Sequence, residues 1–375
     1  MRSEAIKVEH LYLHVPFCAA KCHYCAFYSE AGSAAKMERY VEAALTELEC
    51  SLAALDKRMF DPITIFFGGG TPSILPARLM RRILEGLQRS LPLKAIREWT
   101  IECNPSTVSA DKANLFREFG VNRISMGVQS LDDELLKTVG RVHSVRAAVG
   151  SFEKLRAAGF DNVNLDLIFG LPGQTLEHWR TTLRRAIELQ PEHISTYCLI
   201  LEEDTRFWSL LQQGLIKPDE ELELKMYELA IEMLTTAGYR QYEVSNFAKP
   251  GRECAHNIAY WEGKDYIGLG PSACSTVGER RWQNVSDIDQ YVEALSSHQP
   301  AISFEERLTD ELRASERVAF GMRMNAGVPA NLVRKRWDKQ VAELLSAELV
   351  QWRNNRLQPT KRGILFADEI AAHFV

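Results

Sequence analysis

Short apolar runs alternate with longer amphipathic runs from residue 8 to about residue 200. The apolar runs are rich in β-branched and aromatic residues, which is typical of strands. They are Val8–Pro16, Ile63–Gly68, Glu98–Cys103, Arg123–Val128, Asn162–Phe169 and His193–Ile200. The amphipathic runs between them predict helices over Ala34–Leu55, Pro76–Leu91, Ala110–Phe119, Ser144–Ala158 and Thr175–Leu189. Ser144 is the expected N-cap of its helix, and Gly120 and Gly159 are expected to end theirs.

Six β/α units in series predict an α/β fold over residues 1–205. Parallel neighbouring strands need crossover connections, and those connections are usually helical. Six units are too few for a closed eight-stranded barrel, so we predict a partial (β/α)6 barrel. A functional site is expected at the carboxyl ends of its strands.

The pattern changes after Leu201. A helix is predicted over Asp219–Ala237, followed by a loop-rich stretch, Gly238–Asn284, and we expect residues 206–300 to cover the barrel. Residues 301–375 predict a small winged-helix-like module with helices over Asp310–Met322, Pro329–Trp337 and Lys339–Glu348, a hairpin over Trp352–Pro359 and a last helix. Its twelve basic and ten acidic residues mark no nucleic-acid-binding face, so a structural or lid role is expected.

Composition and charge narrow the function classes. The 375 residues are 46% hydrophobic and 25% charged with a net charge of -5, which is globular and favours neither nucleic acid nor an anionic membrane surface. No apolar run approaches the roughly 18 residues of a membrane span, and the N-terminus lacks the features of a secretory signal. We therefore expect a cytoplasmic protein whose eight cysteines stay reduced. Five of them stand alone and are expected to be buried packing residues: Cys50, Cys103, Cys198, Cys254 and Cys274.

The other three cysteines lie directly after the first predicted strand. Cys18, Cys22 and Cys25 have the spacing C-x3-C-x2-C, which favours a soft metal or an iron–sulfur cluster. Zinc is the first alternative, with His23 as a fourth ligand, but no second ligand pair follows at zinc-site spacing. Three thiolates on a four-iron cluster would leave one iron open to a small chelating molecule.

This cysteine loop and its surroundings resemble the radical S-adenosylmethionine (SAM) superfamily. Tyr12 and His14 fit the pattern Y-x-H-x-P-F-C, Gly68–Pro72 reads Gly-Gly-Gly-Thr-Pro, and Ile168–Pro172 fits the strand-five signature. Within the superfamily, residues 8–375 are similar to the family of oxygen-independent coproporphyrinogen III oxidases and HemW heme chaperones. The resemblance implies a [4Fe–4S] cluster on Cys18, Cys22 and Cys25, with SAM chelating the open iron. An electron from the cluster would then split SAM into methionine and a 5′-deoxyadenosyl radical.

The resemblance also implies a set of residues that contact SAM. They are Tyr12, Tyr24, Gly69, Gly70, Thr71, Glu102, Gln129, Arg141 and Asp166. Gly69 and Gly70 lack Cβ atoms and so allow close backbone approach, whereas the Arg141 guanidinium can hold a carboxylate through two hydrogen bonds. Glu102, Gln129 and Asp166 are expected at the ends of strands three, four and five. Taken singly, each has a plainer interpretation as a loop or strand-cap residue. His143 is expected to be a helix-entry residue.

Two family functions compete, and three features favour the chaperone. Phe27 stands where the oxidases have a fourth cysteine, and few residues precede Cys18, whereas the oxidases carry an N-terminal extension. The segment Cys254–Trp261 contains H-N-x-x-Y-W, which the resemblance links to heme binding. His256 would be an axial heme ligand, with Tyr260 and Trp261 offering flat faces to the porphyrin, although a structural loop histidine is the plainer interpretation.

We therefore favour a radical-SAM-type chaperone that binds heme and delivers it to heme-accepting proteins. The alternative is an oxygen-independent coproporphyrinogen III oxidase, which converts propionates to vinyls; a radical SAM enzyme with an unrelated substrate is a third, remote alternative. The expected partners are heme or a porphyrin, acceptor proteins and an electron donor for the cluster, and an exposed cluster loop would favour a homodimer. Gly268–Ala273 matches the dinucleotide pattern G-x-G-x-x-A but opens no β/α unit, so we reject that interpretation.

Overall fold

Six parallel strands form the centre of the molecule. The computed structural model describes residues 7–55 and 60–375. The strands are β1 (Val8–Val15), β2 (Phe60–Gly69), β3 (Glu98–Cys103), β4 (Arg123–Gln129), β5 (Val163–Phe169) and β6 (His193–Cys198). They pair in chain order, each parallel to the next. The partial (β/α)6 barrel predicted from the sequence is confirmed.

Helices connect these strands on one face of the sheet. They are α1 (Ala34–Ala54), α2 (Ala77–Ser90), α3 (Ala110–Glu118), α4 (Asp133–Thr138), α5 (Val145–Ala157) and α6 (Leu176–Glu188). The predicted end signals are confirmed: the Ser144 hydroxyl accepts a hydrogen bond from the backbone N–H of Ala147, and Gly120 and Gly159 have positive φ angles of 89° and 86°. The sequence analysis missed the short helix α4.

The middle of the chain extends the sheet at both edges. Its helices are α7 (Arg206–Gln212), α8 (Glu220–Thr236), α9 (Ala255–Trp261) and α10 (Ile288–Ser296). Its strands are β7 (Arg240–Gln241), β8 (Asn246–Ala248), β9 (Tyr266–Leu269), β10 (Cys274–Val277), β11 (Arg280–Asn284) and β12 (Ile302–Arg307). Strand β9 runs parallel to β1, and β8 runs antiparallel to β6. The predicted loop-rich stretch 238–284 is therefore wrong, because its strands are too short to show alternation.

The last part of the chain has its own small sheet and core. It contains α11 (Asp310–Gly321), β13 (Val328–Pro329), α12 (Ala330–Val333), α13 (Asp338–Ser346), β14 (Val350–Arg353), β15 (Arg356–Pro359) and α14 (Ala367–Ala372). The predicted hairpin is confirmed, with Asn354 and Asn355 at positive φ in its turn. The helix predicted over Pro329–Trp337 is much shorter than expected. A buried cluster including Val318, Trp337 and Phe374 is distinct from the main core.

Within residues 7–55 and 60–375, no helix combines the length and the apolar character that crossing a bilayer requires.

The two faces of the parallel sheet differ in polarity. Apolar side chains such as Leu13, Ile65 and Met126 pack with the helices in the main core. The alternate positions carry polar side chains, and they are hydrogen-bonded to each other across strands: the Asn164 amide donates to the Ser125 hydroxyl at 2.8 Å and accepts from His193 Nδ1 at 2.6 Å. The concave face of the barrel is therefore a polar interior and not a second apolar core.

Candidate functional site

The three clustered cysteines lie on the loop that follows β1, and all three are half-buried. Arg141 Nη1 donates a hydrogen bond to Cys22 Sγ at 3.4 Å, and Cys18 Sγ lies 3.5 Å from the Thr71 hydroxyl. The loop is thus bounded by the segment after α4 and by the glycine-rich end of β2.

His23 anchors the cysteine loop to the rest of the protein. Its Nδ1 lies 2.9 Å from the carbonyl oxygen of Thr138 in α4, and its Nε2 lies 3.0 Å from Arg206 Nη1 in α7. The first contact requires Nδ1 to donate, so Nε2 accepts from the guanidinium. Both ring nitrogens are therefore engaged by protein groups, which argues against His23 as a fourth zinc ligand.

The described residues contain no site for a single metal ion. Over the ranges 7–55 and 60–375, no three His, Cys, Asp or Glu side chains are arranged to hold one. In a cubane cluster each cysteine binds a different iron, so this finding does not bear on such a cluster. The half-buried thiols and the nearby guanidinium are compatible with a four-iron cluster.

The glycine-rich end of β2 is shaped by the cysteine loop. A Cβ atom built on Gly70 would lie 2.6 Å from the carbonyl oxygen of Phe17, and one on Gly69 would lie 2.6 Å from the His14 ring. The backbone N–H groups of Gly70 and Thr71 donate to the carbonyl oxygens of Val15 and Phe17 at 2.8 and 2.7 Å. These glycines therefore have an intramolecular role in addition to the ligand approach inferred from the sequence.

Gln129 and Arg141 each have a buried polar atom that has no hydrogen-bond partner among the described residues. These atoms are Gln129 Oε1 and Arg141 Nε. Gln129 ends β4 with a positive φ of 67°, while Arg141 Nη2 donates to the carbonyl oxygen of Gly127. A Cβ atom on Gly127 would lie 3.0 Å from Gln129 Nε2 and 3.2 Å from Arg141 Nη2. Buried unpaired polar groups are costly, so this pair is suited to a polar ligand.

Glu102 and Asp166 face each other inside the barrel. Burial, together with Asp166, raises the pKa of Glu102 to about 8, so this carboxyl carries a proton at neutral pH. Burial also raises the pKa of Asp166, against hydrogen bonds from Ser125, Ser195 and Asn164. Glu102 is at the end of β3 as predicted, but the predicted position of Asp166 is wrong. It is the middle residue of β5 because its side chain belongs to the polar alternation and not to the rim.

The protein contacts of three further residues are defined: Tyr12, Tyr24 and His143. The Tyr12 hydroxyl lies 3.2 Å from His14 Nδ1 on the barrel interior. Tyr24 packs with an apolar group around α4 and the end of β5. His143 is buried with Nε2 donating to the Val128 carbonyl oxygen, and burial and Arg141 lower its pKa to about 4, which suits the predicted helix-entry role.

His256 lies in the first turn of α9, against the barrel interior. Glu98 accepts hydrogen bonds from the backbone N–H groups of Ala255 and His256 at 2.8 and 3.0 Å, which fixes the start of the helix on β3. The ring packs beside Phe66, with 5.2 Å between centroids. Its Nδ1 lies 2.8 Å from the Thr64 hydroxyl, and burial lowers its pKa to about 3. The imidazole is therefore neutral, which is the state that binds a metal.

The two aromatic residues of the same motif differ in exposure. Tyr260 is 43% exposed and stacks on Phe320. Trp261 has the Arg323 guanidinium 5.0 Å above its ring and is packed against Phe320 and Tyr260. Each ring therefore has one face occupied by the protein, that of Tyr260 by Phe320 and that of Trp261 by Arg323. Tyr260 also lines a cavity of about 260 Å³.

The five single cysteines do not share one environment. Cys254 is buried and donates from Sγ to Glu98, and Cys103 is buried near β3. Cys198 and Cys274 are half-buried, whereas Cys50 is exposed on α1. The prediction that all five are buried is therefore confirmed for Cys103 and Cys254 but not for the half-buried Cys198 and Cys274. It is wrong for Cys50, because Cys50 lies on the solvent side of an amphipathic helix.

Several residues at this site were missed by sequence reasoning. Gly127 makes room for Gln129 and Arg141, while His10, Thr64 and Glu98 surround His256. Polar side chains at every second position of β1 (His10, Tyr12 and His14), with Thr64 in β2, were the available signal, because a strand buried on both faces is expected to be largely apolar.

Comparisons with known proteins agree with this geometry. The Radical SAM superfamily profile matches residues 12–186, and the HemN C-terminal domain profile matches residues 308–366. The chain is 34% identical over 374 residues to the heme chaperone HemW of Bacillus subtilis (strain 168), covering 97% of this chain and 98% of that protein. It is 43% identical over 264 residues to the heme chaperone HemW of Escherichia coli (strain K12), covering 70% and 68%.

A solved structure is similar over nearly the whole chain. The coproporphyrinogen III oxidase HemN from Escherichia coli, described as a radical SAM enzyme, has a TM-score of 0.86 and 26% sequence identity. The similarity covers 99% of this chain and 91% of that chain.

Proposed function

Because the chain belongs to the radical SAM superfamily and, within it, to the family of the heme chaperone HemW, we propose that it binds heme and delivers it to acceptor proteins. The observation that carries this proposal is His256. Its imidazole is neutral and contacts Thr64 on β2, while its backbone N–H is bonded to Glu98 on β3. Its Nε2 has no hydrogen bond to any described residue. A metal-binding nitrogen needs these properties.

A [4Fe–4S] cluster on Cys18, Cys22 and Cys25 is the second part of the proposal. The support is the match to the superfamily, the half-buried thiols and the guanidinium of Arg141 beside Cys22. When bound, such a cluster can supply an electron to a ligand on its open iron. The protein shields it with a loop that His23 anchors to α4 and α7.

SAM is proposed to bind beside the cluster, across the strand ends. The residues assigned to it are Tyr12, Tyr24, Gly69, Gly70, Thr71, Glu102, Gln129, Arg141 and Asp166. The support is that Gln129 Oε1 and Arg141 Nε are buried and have no hydrogen-bond partner within residues 7–55 and 60–375. A zwitterionic amino acid can satisfy both kinds of atom, since its carboxylate accepts hydrogen bonds and its ammonium group donates them.

The surroundings of Tyr260 suit one edge of a porphyrin. The cavity beside its ring is lined by aromatic side chains, including Tyr266 and Phe320, by Glu316, and by the basic residues Lys264, Arg281, Arg313 and Arg317. Arg281 is ion-paired with Glu306 and Glu316, and Arg313 with Asp265. Flat apolar faces and cationic groups complement a planar ring that carries carboxylates. A cavity of about 260 Å³ would admit part of such a ring and leave the rest accessible to an acceptor protein.

The alternative function is that of an oxygen-independent coproporphyrinogen III oxidase. The overall similarity to the HemN structure favours it. Against it, Phe27 stands where the oxidases have a fourth cysteine, and its side chain is 68% exposed. Turnover of coproporphyrinogen III with SAM and a reductant would establish the oxidase, whereas stable heme binding without turnover supports the chaperone.

The remaining partners follow from the same proposal. A chaperone of this kind needs an acceptor protein for heme and an electron donor for its cluster, and we propose a cytoplasmic location. A homodimer would shield the exposed cluster loop. Sedimentation with and without the reconstituted cluster would test that state.

The deciding experiment is an anaerobic heme titration followed by absorbance. We expect saturable one-to-one binding in the wild type and a weaker complex with an altered absorption band in His256→Ala. His298→Ala is the matched control, because His298 is an exposed histidine remote in sequence from the motif. Identical weak, non-saturating binding in all three proteins would contradict the proposal.

The cluster is tested by anaerobic reconstitution. We expect about four irons and four sulfides per chain, as this cluster type requires. Cys18→Ala, Cys22→Ala and Cys25→Ala should each lose the cluster, whereas Cys50→Ala, which changes an exposed cysteine, should keep it. Tight zinc without sulfide would contradict the assignment.

A further inference from the structure

The hydroxyl group of Thr64 on β2 links two histidines, His10 on β1 and His256 on α9. The Thr64 hydroxyl lies 2.8 Å from His256 Nδ1 and 2.8 Å from His10 Nδ1. Thr64 and His10 face each other on β2 and β1, because the two residues are paired in the strand register. Thr64 is buried, and a β-branched side chain in a strand has few rotamers, so its oxygen is held in place.

Hydrogen-bond counting determines how protons are distributed in this trio. A hydroxyl has one hydrogen to donate, and a neutral imidazole has one N–H. Thr64 can therefore donate to only one of the two Nδ1 atoms, and the other Nδ1 must donate to it. The two neutral histidines consequently have opposite tautomers.

The proposed role of His256 selects between the two arrangements. Neither His256 Nε2 nor His10 Nε2 makes a hydrogen bond with any described residue, so hydrogen bonding to the protein does not distinguish the two rings. Only a proton on His256 Nδ1, donated to the Thr64 oxygen, leaves the Nε2 lone pair of His256 free for a metal. The hydroxyl hydrogen then points to His10 Nδ1, and the chain of donors runs from His256 through Thr64 to His10.

We propose that Thr64 and His10 are positioning residues that hold His256 in its Nδ1–H tautomer and leave the Nε2 lone pair free for heme iron. This inference rests on the proposed heme-binding role of His256. Glu98 completes the arrangement, since it fixes the backbone of His256 from β3 while Thr64 fixes the ring from β2. A donated Nδ1–H also makes the opposite nitrogen a stronger ligand.

The test compares Thr64→Val with Thr64→Ser. Valine keeps the shape of threonine without the hydroxyl, whereas serine keeps the hydroxyl and tests for rescue. We expect Thr64→Val to weaken heme binding by about 10- to 100-fold, the usual effect of removing a partner of a metal-binding histidine. The heme reduction potential should also shift. Thr64→Ser should remain close to wild type, and His10→Leu should have a smaller effect of the same sign.

A second readout needs no heme. Histidine ¹⁵N spectra of the heme-free, cluster-loaded full chain should show His256 as the Nδ1–H tautomer in the wild type and in Thr64→Ser, and a tautomer mixture in Thr64→Val. A wild-type His256 with its proton on Nε2, or a Thr64→Val protein with wild-type heme affinity and potential, would overturn the proposal. If instead His256→Ala binds heme normally, the proposed heme ligand fails, while the tautomer measurement still stands.

Discussion

At the scale of single residues, the protonated carboxyl of Glu102 makes a pH-dependent contribution to stability. Burial raises its pKa to about 8, so ionisation costs more in the folded state than in the unfolded state. The contribution is full below the unfolded-state pKa of about 4.5 and is lost as pH rises towards 8. Stability measurements below and above this pH range can isolate the contribution of Glu102.

Glu102→Gln should remove that loss, because the amide cannot ionise and its oxygen can still accept from the Gly69 backbone. We expect the variant to be more stable than the wild type by about 4–5 kcal/mol at pH 9 and by less than about 1 kcal/mol at pH 5, because each unit of pKa difference corresponds to about 1.4 kcal/mol. Thermal unfolding at both pH values measures the difference. Glu38→Gln, on a surface ion pair with Arg78, is the control. A pH-independent difference would contradict the buried, protonated carboxyl.

Arg141 is the residue whose removal should most affect SAM. Its guanidinium contacts Cys22 and Gly127 and retains an unpaired Nε, and lysine cannot reproduce this planar arrangement. We expect Arg141→Lys to weaken SAM binding to the reconstituted protein about 10-fold, the usual loss for a charged hydrogen bond. Calorimetry against the exposed control Arg146→Lys measures this. Equal affinities in the two variants would exclude the assigned contact.

At the scale of elements, the contacts that anchor the cysteine loop predict that His23 has a structural role and does not bind iron. Because both nitrogens of His23 are bonded to α4 and α7, His23→Ala should keep about four irons per chain. The loosened loop should release iron to a chelator several times faster, and Arg206→Gln should do the same. Iron analysis and chelator kinetics measure both effects. Loss of iron as complete as in Cys22→Ala would make His23 a ligand.

The elements also show what the sequence could predict. The strands β1–β6 and most of the helices between them were found because each is long enough to show its period. Strands β7 and β8 have only two and three residues, and they form by pairing with an existing sheet edge, which is a tertiary effect. Helix α4 was missed for the same reason of length.

Some features of the candidate site could be predicted from the sequence, whereas others depend on tertiary contacts. The cysteine spacing and the strand-end positions of Glu102 and Gln129 could be read along the chain. The Thr64–His256 contact joins residues 192 apart in the sequence, and no local pattern announces it. The cover that Arg323 places on Trp261 likewise depends on how the C-terminal helix α11 packs against α9.

At the scale of the whole molecule, two separate cores predict two separable unfolding steps. Phe374 is buried in the smaller core against Trp337, and its truncation should cost about 3–5 kcal/mol. We expect calorimetry of Phe374→Ala to show an early transition during which the cluster absorbance is unchanged. The neighbouring Val375→Ala, at a position 78% exposed, should behave as wild type. A single cooperative transition that also bleaches the cluster would show that the cores unfold together.

The proposed cluster would lie at the carboxyl end of β2, whereas the proposed heme ligand contacts the middle of the same strand. Thr64, which contacts His256, precedes Gly68 by four residues on β2, a separation of about 13 Å along an extended strand. Sites that share a scaffold but no side chain should bind independently. We therefore expect Cys22→Ala, without its cluster, to bind one heme with an affinity close to wild type, and His256→Ala to keep its full iron content. Heme titration and iron analysis of both variants measure the two directions. If heme binding disappeared together with the cluster, while Cys50→Ala retained both, the heme would have to be held at the cluster end of the barrel and not by His256.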